Sequence, residues 1–301
     1  MRASPGRARR FWRRLRRHRP ALLSAALLAL LGAVVLAAPL VAAALGTDSS
    51  TVDLLNRFGP PSPEHPLGTD ELGRDVLLRL LEGGRVSLFV GIAAALAAAF
   101  IGTAIGLVAG WRGGLVDAVL MRLTDSVIAL PLLPLLIVLA ALDLRKLGAP
   151  EGIAGSDAVS LYRIVALIAL VGWTTVARLV RGAALSLRAR DFVRAAEALG
   201  AGAPRIVLVH VLPNVASPIT VATTLSVGAA ILLESALSFL GLGIQPPLPS
   251  WGNMLTNAQD LVTSAPWLAI YPGLLIFATV IAVNLLGDGL QDALDPRAEE
   301  A

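Results

Sequence analysis

Two long uncharged runs, Ala21 to Leu45 and Val86 to Ala109, set the strongest limit on how this chain can fold. They are apolar on every side of a helix. A hydrocarbon core of roughly 30 Å is crossed by about 20 such residues in helical form, and a helix satisfies its backbone polar groups within the segment. Membrane strands would alternate apolar and polar residues, so a barrel is disfavoured. Composition agrees: of 301 residues 56% are hydrophobic and 15% charged, with mean hydropathy +0.75. Soluble domains carry about 25% charged residues.

The pattern predicts an all-α polytopic membrane protein with six transmembrane helices, near residues 21–45, 86–109, 117–142, 161–180, 215–240 and 267–290. Nine arginines precede the first span: Arg2, Arg7, Arg9, Arg10, Arg13, Arg14, Arg16, Arg17 and Arg19. Short basic flanks stay cytoplasmic, so both termini are expected inside. The expected organisation is a basic cytoplasmic tail (1–20), a first span (21–45), an extracytoplasmic segment with an interfacial helix (46–85), a membrane core (86–291) and a cytoplasmic tail (292–301). A cleaved signal peptide fits less well, because its apolar region runs to about 15 residues. A nucleic-acid arm would want an aromatic platform or a folded module beside the arginines, and none accompanies them. Attraction to anionic lipid accounts for the cluster.

In the 46–85 segment, Thr69 or Asp70 is placed to cap a helix whose Val76, Leu77, Leu80 and Leu81 share one face, predicting a helix on the outer membrane surface. Ala94, Ala98, Gly102, Gly106 and Gly110 recur every four residues, a small-residue stripe that admits a neighbouring helix. Pro131 and Pro134 predict a bend in the third span.

Chemistry of its own is hard to find in this chain. It has no cysteine, and His18, His65 and His210 lack zinc-site spacing, so no metal site is expected. The only lysine, Lys146, is not in a phosphate-cradling loop. No catalytic residue and no cofactor are therefore expected, and energy must enter through a partner. The stretch "RAAEALGAGAPRIVLVHVLPN" (194–214) is the candidate entry point. With Asp191 as cap, a helix is expected from Phe192 to Leu199, stopping at Gly200. Phe192, Ala195, Ala196 and Leu199 have the spacing of a helix laid into a partner's groove, flanked by Arg194 and Glu197. An interfacial helix resting on lipid headgroups is the competing reading. Pro204 is expected to start a second turn and Pro213 to enforce an extended approach to the fifth span.

On the fifth span Ser217, Thr220, Thr224, Gly228, Ser235 and Ser238 form a stripe that suits either a wet lumen or interhelical hydrogen bonds. Glu234, the one carboxylate deep in an apolar segment, needs a partner, and Arg163 is a candidate. Trp251 reads as an interfacial anchor in preference to a contact for a partner protein. Asn284, Asp288 and Asp292 step along the last span as an inner-gate seam or a solvated end.

Ala195, Ala196, Gly200, Leu212 and Pro213 resemble the EAA loop by which importer permeases dock on an ATPase, with Arg194 where that family has glutamate. Longer blocks resemble the C-subunit permeases of dipeptide, oligopeptide and nickel importers: "HPLGTDELGRDVLLRLLEGGRVSL" (65–88), "MRLTDSVIALP" (121–131), "HVLPN" (210–214), "ESALSFLGLGIQPPLPSWGNML" (234–255) and "GDGLQDALDPR" (287–297). The resemblance implies a type I ABC-importer transmembrane domain in a bacterial-type cytoplasmic membrane. Implied partners are a B-like permease, two ABC ATPases that use ATP and Mg, and an extracytoplasmic solute-binding protein. It implies peptide uptake first and nickel or another small solute second. The pathway residues would be Thr220, Thr224, Glu234, Ser235, Ser238 and Asn284. An ion-coupled carrier and a membrane scaffold are the alternatives from other classes.

Overall fold

The structure is a computed structural model that describes residues 11–142, 157–256 and 258–294. Arg2, Arg7, Arg9, Arg10, Lys146 and Arg297, with most of the 292–301 tail, lie outside the described residues. Among the described residues the architecture is helical, with one isolated bridge between Thr69 and Asp75. Among these residues five helices are long and apolar enough to cross a membrane, or six if a broken pair counts as one span.

α1 (Arg19–Leu36) starts where the His18 ring accepts a hydrogen bond from the Ala21 N–H at 3.2 Å. It ends at Ala37, and α2 (Ala38–Leu45) resumes with Pro39 in its first turn. α3 (Val76–Arg112) is 37 residues long, roughly 55 Å at 1.5 Å per residue. Its cap is Asp75, whose carboxylate accepts from the Leu78 N–H at 2.7 Å, rather than Thr69 or Asp70. The expected surface helix therefore has no separate existence, because Val76 to Leu81 form the first turns of α3. Nothing in that stretch breaks a helix, and Val76, Leu78, Leu80 and Leu81 are buried by the chain itself. Asp70 is engaged instead by Arg74 at 2.8 Å and Arg79 at 3.2 Å, which folds the preceding loop onto α3.

The third span breaks more sharply than one bend. α4 (Gly114–Ala129) and α5 (Leu132–Ala140) meet at 86°. The break falls at Leu130 and Pro131, both extended, while Pro134 is carried within the first turns of α5. α6 (Asp157–Arg188), α7 (Asp191–Ala198), α8 (Leu212–Phe239) and α9 (Trp267–Leu294) complete the bundle.

α3 and α6 share the closest helix contact. A Cβ at Gly102 would stand 2.5 Å from the Trp173 carbonyl oxygen, one at Gly106 2.6 Å from that of Ala177, and one at Gly110 2.7 Å from the Ala184 Cβ. The small-residue stripe is thus a seam where backbone meets side chain directly. Arg188 closes its end, stacked 5.7 Å from the Trp111 ring. Gly106→Ala is expected to lower thermal stability in detergent by about 1–3 kcal/mol despite alanine's better helix propensity. Gly182→Ala, where nothing lies within 4 Å, is the control and should be neutral or stabilising. Equal melting of the two variants would contradict the seam.

Candidate functional site

α7 begins one residue earlier than its sequence suggests. Arg190 is the extended boundary residue and offers no side-chain cap, and Asp191 is the first helical residue rather than the cap. Its charge still sits in the first turn, where the helix end is electropositive. At the other end Gly200 has φ +80°, its N–H donates to the Glu197 carbonyl at 2.9 Å, and Ala201 N–H donates to the Ala196 carbonyl at 3.0 Å. That pair of bonds closes a helix terminus through a left-handed residue, the role glycine fills at least cost.

The faces of α7 are divided differently from the sequence expectation. Val193 (0% exposed) and Ala196 (9%) pack inward against Val176, Val180 and Ala184 of α6 and against Ile206 and Val211. Ala196 is therefore an anchor, not part of the outer face. Phe192, Ala195 and Leu199 point away with Arg194 and Glu197, and Leu199 is 88% exposed. Sequence reading missed Val193, although its i, i+3 pairing with Ala196 was available.

Beyond Gly200, Pro204 opens the turn Ala203–Arg205, which runs into a wide π-helical segment, Ile206–Val211, and directly into α8. Pro213 lies in the first turn of α8, so the extended approach expected there is replaced by continuous helix. The π turn interrupts the regular ladder just ahead of the proline, which accommodates its ring and missing N–H. Leu212 is half-buried against the α7 cluster, and Pro213 is exposed.

The polar residues of α8 separate into two groups. Thr220 and Thr224 border an open cleft of about 920 Å³ with Leu96 and Phe100 of α3. Their hydroxyls donate to Ala216 and Thr220 carbonyls of their own helix, each at 2.9 Å, so the wall they present is largely apolar. Asn284 on α9 is exposed and faces Gly228, its Oδ1 3.5 Å from where a Cβ would stand. Asp288 is exposed too, and Asp292 lies 3.5 Å from the His18 ring.

Glu234 belongs to the second group. It is fully buried, and its carboxylate accepts from Ser87 of α3 at 3.0 Å and from Ser238 at 2.7 Å, with Ser235 at 3.5 Å. Each of the first two serines in turn accepts from the loop after α8: Trp251 N–H to Ser87 at 3.1 Å, Ile244 N–H to Ser238 at 3.0 Å. Arg163 is not its partner; that guanidinium reaches the Leu242 carbonyl at 3.5 Å. Hydroxyls satisfy this side chain where a guanidinium would bury a charge. Trp251 is likewise no headgroup anchor: it is fully buried, its ring N–H donates to the Leu80 carbonyl at 2.9 Å, and the ring lies where Gly84 leaves room. Glu234, Ser235 and Ser238 thus fasten residues 241–253 to α3 and do not border the open cleft.

Comparison with known proteins supplies what geometry alone does not. Residues 102–300 match the family described as binding-protein-dependent transport system inner membrane component, and residues 6–61 match the N-terminal TM domain of oligopeptide transport permease C. An oligopeptide transport system permease protein of Bacillus subtilis (strain 168) is 40% identical over 250 residues, 83% of this chain and 77% of the relative. A dipeptide transport system permease protein of Alkalihalophilus pseudofirmus is 42% identical over 80% of this chain and 75% of its own. A glutathione transport system permease protein of Pectobacterium atrosepticum is 39% identical over 96% of this chain and 91% of its own.

The Glu234 network yields its own test. Ser238→Ala should speed hydrogen exchange at the Ile244 amide by about tenfold, the equivalent of roughly 1.4 kcal/mol for one buried bond, and leave α7 amides unchanged. Unaltered protection at Ile244 would contradict the fastening role.

Proposed function

Since the chain belongs to the family of binding-protein-dependent transport system inner membrane components, a bacterial inner-membrane permease family, we propose that it forms half of the pathway of an ATP-driven peptide importer. The observation that carries this reading is α7: a short helix pinned by Val193 and Ala196 that leaves Phe192, Ala195 and Leu199 bare. A helix this short is unstable alone, and an anchored one with an apolar outer edge suits a groove in another protein. That protein is a separate ATPase, present as a pair, which binds ATP and Mg; this chain supplies no catalysis. Arg194, Glu197 and Gly200 border the contact.

A second, B-like permease covers the cleft beside Thr220 and Thr224, and an extracytoplasmic binding protein delivers the solute to the face formed by residues 241–253. Oligopeptide, dipeptide and glutathione relatives share peptide chemistry, which favours a peptide substrate over nickel. Arginine placement favours both termini, and α7, on the ATPase side. ATP-driven closure of the ATPases moves α7, and only a difference in contacts between the two permease states converts that movement into alternating access.

The test uses the chain co-expressed with its ATPases and second permease. Phe192→Asp with Leu199→Asp should reduce the ATPase retained on purification at least tenfold with little shift in melting temperature, because Leu199 is 88% and Phe192 42% exposed. Gly200→Val, at φ +80°, costs about 1–2 kcal/mol locally and should depress ATP-driven dipeptide uptake while insertion persists. Full ATPase retention by the double variant would remove the docking role.

A further inference from the structure

α6 is joined to its neighbours by two different kinds of contact. Toward α3 it meets the glycine seam, with no room for movement. Toward α4 the contact is ionic. Arg181 grips Asp117 with two parallel hydrogen bonds, the second at 2.6 Å, and Arg178 bonds Asp125. On α4 only Thr124 is buried and Leu115, Val119, Leu123 and Ile128 are exposed, so its apolar contact with the cluster of Ala98, Trp173 and Ala177 rests on Val127, and the ion pairs carry much of the remaining hold. The bidentate Asp117–Arg181 pair is the stronger and more directional of the two, the half-exposed Asp125–Arg178 pair adds a single bond, and removing one partner strands the other charge.

Position gives these pairs a consequence. α6 leads into α7 through Ala189 and Arg190 alone, and Val180 and Ala184 touch the inner face of α7. α4 leads to the 86° break at Leu130 and Pro131. Beside that break, Val127, Ile128, Leu130 and Leu132 border a cavity of about 330 Å³ facing Thr174, Thr175 and Ser226, which leaves volume for the break to change angle.

Resting on the reading of α7 as the docking element, we propose that the Asp117–Arg181 and Asp125–Arg178 pairs are a coupling clip: displacement of α7 moves α6, the ion pairs drag α4 with it, and the chain pivots at Leu130–Pro131. The four residues are positioning residues and touch neither solute nor nucleotide. A structural role alone would alter assembly or total activity. Coupling alters the amount of solute moved per ATP consumed.

The experiment reconstitutes the whole assembly in proteoliposomes and measures labelled dipeptide imported per ATP hydrolysed, with ATPase retention as the control. Asp117→Arg and Arg181→Asp should each lower that ratio at least fivefold with the ATPase still attached, and the two combined should restore at least half of it. A ratio unchanged in the single variants, or a combined variant that assembles yet stays as low as they are, overturns the clip. Should the single variants fail to assemble, Arg178→Gln and Asp125→Asn, at half-exposed positions, read the same ratio; no loss there also overturns it. Failure of the docking reading is distinguishable, because it appears as ATPase retention that is indifferent to Phe192 and Leu199.

Discussion

Direct backbone contact between α3 and α6 is the interaction on which the rest of the structure depends. Gly102, Gly106 and Gly110 bring the α3 backbone directly against carbonyls and Cβ atoms of α6, and van der Waals packing at such short range resists both sliding and separation. Everything with a functional reading is attached to this pair. α7 and the π-helical segment seat on the end of α6, α4 is clipped to its side, and α8 lies across α3. A rigid pair is what allows a small displacement at one end of the molecule to reach the other, because packed helices move as bodies and do not bend continuously.

The opposite end of the molecule is organised by a different device. Glu234 draws hydroxyls from two helices, and those hydroxyls hold the backbone of the loop that follows α8. A polar side chain is kept in the bundle, where it is costly, to fix an irregular loop that has no ladder of its own. Asn253 extends the same logic, accepting from Ser250 N–H at 2.9 Å and donating to the Leu248 carbonyl at 2.8 Å. The outer loop is thus fastened to α3, the helix that also carries the seam.

Much of this was legible in the sequence. Hydrocarbon-length runs gave the spans, four-residue spacing gave the seam, and Gly200 gave the end of α7. Residues that act alone within one helix are readable from local rules. Contacts between distant segments are not: Ser87 is an unremarkable serine until Glu234, 147 residues away, is placed beside it. Arg163 was the obvious match for a lone carboxylate by charge, yet neutral hydroxyls took the role. Trp251 reads as an interfacial aromatic from its sequence, and only the notch at Gly84 explains its burial. Ala196 lies on the inner face although its spacing also suits the outer one, because three- and four-residue steps fit either side of a two-turn helix.

The central claim is that the exposed edge of α7 touches a nucleotide-hydrolysing subunit. The chain contains no cysteine, so a single one introduced as Leu199→Cys is a unique label at the most exposed point of that edge. In the intact assembly a short bifunctional reagent should join it to the ATPase, whereas Leu36→Cys on α1, exposed but remote, should give no such product. Labelling of Leu199→Cys by a membrane-restricted reagent, with no ATPase adduct, would contradict the account.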